Sequence, residues 1–107
     1  YEVEVSEQAD RDLRGIFEYI AFELQSPENA IGQLDRLEEQ ILSLDAMPKR
    51  YRKYEKEPWK SRELHILPVD NYVILYIPNS DKKVVTILRV MYAGRDIDNQ
   101  LNFHTKQ

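Results

Sequence analysis

The chain has 107 residues and a net charge of −4, so it is long enough for one domain, and its overall field disfavours general coating of nucleic acid. It contains no cysteine, which excludes disulfides and thiolate chemistry, and no apolar run approaches the ~20 residues that a membrane span needs. We therefore expect a single soluble domain over residues 1–107, located in a reducing cytoplasm.

The chain opens with the pattern of a strand followed by a helix. Residues 1–5 alternate between polar and apolar side chains, which predicts a short, half-buried strand. Ser6 is a suitable helix cap, and apolar residues then recur every three or four positions as far as Leu24. This spacing predicts a helix of about five turns with one apolar face.

A second helix is predicted from about Pro27 to Ala46, and Pro48 stops it. Its inner face is predicted to comprise Ala30, Ile31, Leu34, Leu37, Ile41 and Leu44. Because the turn between the two helices is short, they must lie antiparallel, and a sheet should cover their shared apolar surface.

The second half has the pattern of an antiparallel sheet. Extended runs occupy residues 62–66, 72–77 and 84–92, and turn residues occupy 68–71 and 78–83. These runs predict a three-stranded meander, with the N-terminal strand added at an edge, then a short helix after Gly94 and a mobile polar tail from Asn102. We therefore predict an α+β fold in which an N-terminal strand and an antiparallel helical hairpin pack on one face of a small antiparallel β-sheet, with a short C-terminal helix.

One stretch differs in charge from the rest of the chain. Residues 49–62, "KRYRKYEKEPWKSR", contain seven bases and two acids, and we call them the basic segment. Such a cluster predicts a docking surface for an anionic partner, with binding residues Lys49, Arg50, Arg52, Lys53, Trp59 and Lys60. The alternative is that the aromatic rings of this segment only pin a loop to the domain.

Most catalytic signatures are absent from the sequence. It has no glycine-rich phosphate loop and no nucleophile elbow, and its two histidines lack the spacing of a zinc site, so we expect neither metal nor cofactor. Metal-free cleavage of RNA remains possible, because it needs only a general base, a general acid and cations near the phosphate. The candidate catalytic residues for that reaction are Arg62, His65, Arg89, Tyr92 and Arg95.

Each candidate also has a structural interpretation. Arg62 is solvated or salt-bridged, and His65, which faces opposite to its apolar neighbours, is a surface histidine. Arg89, in the middle of an apolar strand, either points to an uncovered face of the sheet or pairs with a carboxylate. Tyr92 packs on the sheet.

Several segments together resemble the RelE/ParE superfamily of toxins from bacterial type II toxin–antitoxin systems, a group that includes plasmid stabilisation proteins. They are "SEQADRDLRGIFEYI" (6–20), "SRELHI", "NYVILYI" and "VVTILRVMYAGRDI", and the resemblance covers almost the whole chain. It implies a growth-inhibiting toxin neutralised by a bound antitoxin. The antitoxin is expected to lie across the hairpin and the sheet, with acidic side chains near Arg62, Arg89 or Arg95.

The superfamily contains two activities: RelE-type members cleave mRNA on the ribosome, and ParE-type members poison DNA gyrase. The RelE arginine that follows a strand tyrosine corresponds to Val73 here, and the RelE C-terminal tyrosine falls near Leu101, although Arg95 is retained. The first helix, by contrast, is close to the ParE type. The resemblance therefore favours a gyrase inhibitor, with an mRNA endonuclease (interferase) and an inactive interaction module as alternatives.

Overall fold

The predicted α+β fold is confirmed in the computed structural model, which describes residues 1–105. Ser6 caps the first helix by accepting a hydrogen bond from the Ala9 N–H, and a π-helical turn continues that helix over Tyr19–Glu23. The elements are β1 (Glu2–Val5), α1 (Glu7–Glu18), α2 (Pro27–Leu42), β2 (His65–Val69), β3 (Tyr72–Asn79), β4 (Val84–Tyr92) and α3 (Ile97–His104).

The four strands form one mixed sheet in the order β1-β4-β3-β2. Strands β2, β3 and β4 make the predicted antiparallel meander, and β1 lies at the edge beside β4, as predicted. Its pairing is parallel, with Val5 opposite Ile87. Two parallel strands need a long connection between them, and the chain that joins β1 to β4 starts with the helical hairpin.

The strand predicted at residues 62–66 is observed three residues later, as β2 (His65–Val69), because residues 61–63 form a turn, and β3 extends two residues beyond its predicted end. Pro68 and Val69, predicted to form a turn, continue β2, and Asn79 ends β3. Pro68 is tolerated there because β2 is an edge strand, so its missing N–H does not remove a hydrogen bond between two central strands. The turn itself is confined to Asp70 and Asn71.

The helical hairpin covers one face of the sheet, where the main apolar cluster lies. Leu37, Ile41 and Leu44 of the predicted inner face are buried. Ile31 was wrongly assigned to that face, because its side chain is 53% exposed. Gln33 is buried in α2 instead, and its amide donates to the Asp70 carboxylate at 3.0 Å.

The opposite face of the sheet is covered as well, which the sequence analysis did not predict. Residues 49–64 and α3 pack over it and enclose a second apolar cluster that includes Trp59, Leu88, Met91 and Leu101. Helix α3 continues to His104 because buried Leu101 anchors it. The prediction of a mobile tail from Asn102 onward is therefore wrong for residues 102–105. The remainder of that prediction, residues 106–107, lies outside the described residues.

No helix within residues 1–105 combines the length and hydropathy that crossing a membrane would require.

Candidate functional site

The basic segment lies against the sheet, and several of its charges are neutralised locally. Lys53 contacts the Glu63 carboxylate at 2.7 Å and lowers the pKa of Glu63. Lys56 pairs with Asp98 of α3. Arg50 donates to the Ala46 carbonyl at 2.5 Å and lies over the ring of the adjacent tyrosine. The cations of the basic segment that are exposed and form no ion pair within residues 1–105 are Lys49, Arg50, Arg52, Lys60 and Arg62.

Trp59 was predicted to face a partner, but it is part of the second apolar cluster. Its side chain is 1% exposed, and Nε1 donates to Asn102 Oδ1 of α3 at 2.9 Å. Arg62 lies over the outer part of this ring, 5.1 Å from its centroid. Burial leaves no free indole face for stacking, so the alternative interpretation, in which the aromatic ring pins the segment to the domain, fits the structure.

His65 is not the surface histidine that strand alternation predicted. It is 1% exposed, stacks on Tyr76 at 5.4 Å, and its Nδ1 lies 2.8 Å from the Glu63 carbonyl oxygen. Tyr76 in turn donates its hydroxyl to the Pro48 carbonyl, and burial raises the pKa of Tyr76. The chain that follows α2 therefore folds over this end of the sheet and covers the histidine.

Arg89 forms an interior ion pair with Asp12 of α1. Nε and Nη2 donate to the two carboxylate oxygens at 2.7 and 2.9 Å, and the arginine is 7% exposed. Its Nη1 donates to the His104 carbonyl and the Thr105 hydroxyl at 3.0 and 2.9 Å. Of the two interpretations considered for Arg89, pairing with a carboxylate is the one observed.

A groove of about 780 Å³ lies between α1 and the C-terminal end of β4. We call it the α1–β4 groove, and the residues that define it are Arg11, Gly15, Tyr19, Tyr72, Tyr92 and Arg95. Tyr92 is 51% exposed and meets Tyr72 edge-on at 5.9 Å. Burial raises the pKa of Tyr72. The groove thus combines an aromatic wall with two exposed arginines.

The structure separates the five candidate catalytic residues. Arg89, Tyr92 and Arg95 line the α1–β4 groove, whereas Arg62 and His65 do not. Within residues 1–105, no cluster of three or more histidine, aspartate or glutamate side chains could hold a metal ion. The candidate set therefore does not converge on one pocket.

Sequence reasoning overlooked four of the six groove residues named above, Arg11, Gly15, Tyr19 and Tyr72. A signal was present, because positions 11, 15 and 19 are spaced four apart and so share one face of a helix. The sequence analysis interpreted only the apolar face of α1, which packs in the core. Arg11 is exposed, and no carboxylate within residues 1–105 pairs with it.

Comparison with known proteins adds independent information. The family model described as the ParE toxin of the type II toxin–antitoxin system parDE matches residues 3–97. No curated protein sequence matches the chain significantly.

Three solved structures share the fold. A chromosomal ParDE toxin–antitoxin system from P. aeruginosa has a TM-score of 0.71 at 18% identity, covering 85% of this chain and 94% of that one. The RelBE2 toxin–antitoxin complex from Mycobacterium tuberculosis has a TM-score of 0.63 at 22% identity, covering 86% and 96%. The isolated RelE toxin of E. coli has a TM-score of 0.61 at 16% identity, covering 94% and 92%.

Proposed function

Because this chain belongs to the ParE toxin family of type II toxin–antitoxin systems, we propose that it inhibits growth by binding DNA gyrase and that a cognate antitoxin neutralises it. The structural relatives do not choose between targets, because at 16–22% identity they establish the fold alone. The choice of gyrase rests on the family match and on the chemistry of the described residues.

The observation that carries the proposal is that two of the five candidate groups for RNA cleavage, His65 and Arg89, are already engaged inside the protein. A metal-free ribonuclease needs an accessible base, an accessible acid and cations that reach the phosphate. His65, the natural base, is 1% exposed, and Arg89 donates to Asp12 and to the end of α3. A protein that acts by binding needs none of these groups to be free.

A two-assay comparison tests this proposal. Purified protein is added to DNA gyrase with relaxed plasmid, and separately to ribosomes programmed with mRNA. We expect inhibition of supercoiling or accumulation of cleaved plasmid, with the message left intact. Message cut only when ribosomes are present would instead support the endonuclease alternative.

The variant Tyr92→Phe further distinguishes a gyrase inhibitor from an mRNA endonuclease. It removes the hydroxyl that an endonuclease would use for proton transfer and keeps the ring that lines the groove. A gyrase inhibitor should tolerate this change, whereas an endonuclease dependent on Tyr92 should lose ~10²-fold or more in rate. Lys82→Ala, at an exposed turn, is the control. A growth assay tests the third possibility. If induction of the wild-type gene leaves growth unaffected, an inactive interaction module is favoured over both the gyrase inhibitor and the mRNA endonuclease.

A further inference from the structure

The turn between the two helices of the hairpin is flanked by exposed apolar side chains. Phe22, in the π-helical turn, is 71% exposed, and Leu24 and Ile31 are each more than half exposed. We call these three residues the apolar tip. Neither Phe22 nor Ile31 lines the α1–β4 groove. Single apolar side chains on a surface are normal, but several grouped beside one turn indicate an interaction site.

The π-helical turn explains why Leu24 leaves the core. Its N–H donates at 3.0 Å to the Tyr19 carbonyl, which is five residues back instead of four. The extra residue rotates Leu24 away from the face that buries Ile20. The Ser26 N–H donates to the Ile20 carbonyl at 3.1 Å, and Gln25 holds a φ of 52°. The tip is therefore hydrogen-bonded and preformed, so a partner that binds it has little backbone to order.

The charges around the apolar tip all have one sign. Residues 15–35 contain four acids and neither lysine nor arginine. Glu18, Glu23 and Glu28, which we call the tip acids, are exposed and form no ion pair within residues 1–105. Glu18 and Glu23 lie toward the C-terminal end of the first helix, where the helix dipole favours cations. These two charges therefore oppose the stability of the free protein.

Apolar side chains ringed by acids determine the chemistry of the partner. Nucleic acid, an anionic membrane and the same tip of a second copy would all be repelled by the tip acids. The surface that fits is one with an apolar recess for the Phe22 ring, surrounded by lysine and arginine. An enzyme that binds duplex DNA has basic surfaces, because it must neutralise phosphate charge.

We propose that the apolar tip and the tip acids dock on a basic surface of gyrase, with Phe22 as the buried anchor. This inference rests on the proposed function and specifies the surface that contacts gyrase. The tip acids steer the encounter, and the apolar side chains keep the complex together once it has formed. Gyrase binding is thereby assigned to the end of the hairpin, and not to the α1–β4 groove or the basic segment.

The first experiment removes charge from the tip. The double variant Glu18→Gln, Glu23→Gln should be at least as stable as wild type, because it removes acids from the wrong end of a helix dipole. Its association rate constant with gyrase holoenzyme, measured by surface plasmon resonance at low salt, should fall ~10-fold or more. The difference should shrink as salt rises. The matched control is Glu38→Gln, Glu39→Gln, an equal change of charge at exposed positions of α2, and it should associate like wild type.

The second experiment removes the anchor. Phe22 is largely exposed, so Phe22→Ala should unfold close to the wild-type temperature. Its affinity for gyrase should fall ~30-fold or more, with a matching rise in the concentration that halves supercoiling. Phe103→Ala on α3 is the control, because it removes an equally exposed ring away from the tip and should inhibit like wild type. Wild-type gyrase affinity of folded Phe22→Ala and of the folded double glutamine variant would overturn the inference.

Two further measurements separate this inference from other uses of the tip. The variants are titrated with the antitoxin encoded beside the toxin gene, and their self-association is followed by analytical ultracentrifugation. Loss of antitoxin binding or of self-association, with gyrase inhibition unchanged, would assign the tip to that partner and overturn the inference. A wild-type protein that does not bind gyrase would overturn the proposed function as well, whereas gyrase binding that the tip variants retain in full overturns the inference alone.

Discussion

Asp12 and Arg89 form a two-point ion pair that joins the first helix to the edge of the sheet, with nitrogen–oxygen distances of 2.7 and 2.9 Å. The same carboxylate accepts the Val90 N–H, and the same guanidinium holds the end of α3. One pair of side chains therefore links α1, β4 and α3. It also explains how a charged residue is accommodated in the middle of an apolar strand.

We expect Asp12→Ala to destabilise the protein by about 3–5 kcal/mol, because it leaves the mostly buried Arg89 without its counter-charge. Urea unfolding followed by circular dichroism measures the change. Asp10→Ala is the control: its pair with Arg14 is exposed on the helix surface, so water and salt screen it and its loss should change the stability far less than Asp12→Ala does. Equal effects of the two substitutions would contradict the structural importance of the interior pair.

The two glycines near the groove should respond to alanine in opposite ways. Gly15→Ala should stabilise the protein by roughly 0.5–1 kcal/mol, because it lowers the entropy cost of the helix and meets no neighbour. Gly94→Ala should destabilise it, because the new Cβ would clash with the Tyr92 ring. Thermal unfolding of both variants tests the pair, and the prediction fails if Gly15→Ala lowers the melting temperature.

Trp59 should behave as a core residue and not as part of a nucleic-acid surface. It is the single tryptophan of the chain, so its fluorescence reports on this one position. Because the indole is 1% exposed, we expect blue-shifted emission that neither acrylamide nor single-stranded RNA quenches in the folded protein. Trp59→Ala should cost about 3–5 kcal/mol of unfolding free energy. Strong quenching by RNA would show that the basic segment opens to bind it.

The Asp70 carboxyl should titrate below its ordinary pKa because Arg36 and Gln33 donate to it at 2.8 and 3.0 Å. Since the folded-state pKa is lowered, the stabilisation is present above the unfolded value and is lost as the pH falls through the folded value. NMR titration should show the pKa of Asp70 rising in Arg36→Ala. Lys53→Ala is the reciprocal control, because it should raise the pKa of Glu63 and leave Asp70 unchanged.

Local patterns were sufficient for much of the fold. The last strand was predicted as residues 84–92 and is observed over the same range, and α2 begins at the predicted Pro27. These elements have long periodic runs bounded by turn residues or proline, so few other secondary-structure assignments fit them. The ends of β2 and β3 were less predictable, because Pro68 and Pro78 resemble turn residues yet fit the sheet.

The candidate site was less predictable, because alternation along a strand does not reveal what covers each face. His65 was expected at the surface, but the residues after α2 fold over it and bury it. Leu75 of β3 pairs with Arg89 and Tyr76 of β3 pairs with Ile87, so a bulge at Leu88 interrupts the alternation of β4, which the sequence pattern did not indicate.

By itself, the sequence determined the secondary structure, the hairpin-on-sheet architecture and the resemblance to a toxin superfamily, because periodicity, caps and turn residues act over a few neighbouring positions. Only the tertiary structure decided which charges are available to a partner. Asp12 and Arg89 are 77 residues apart, and Lys56 and Asp98 are 42 apart. Their pairing depends on how α1, the basic segment and α3 pack around the sheet, and it leaves Arg11 and Arg95 as the exposed cations of the groove.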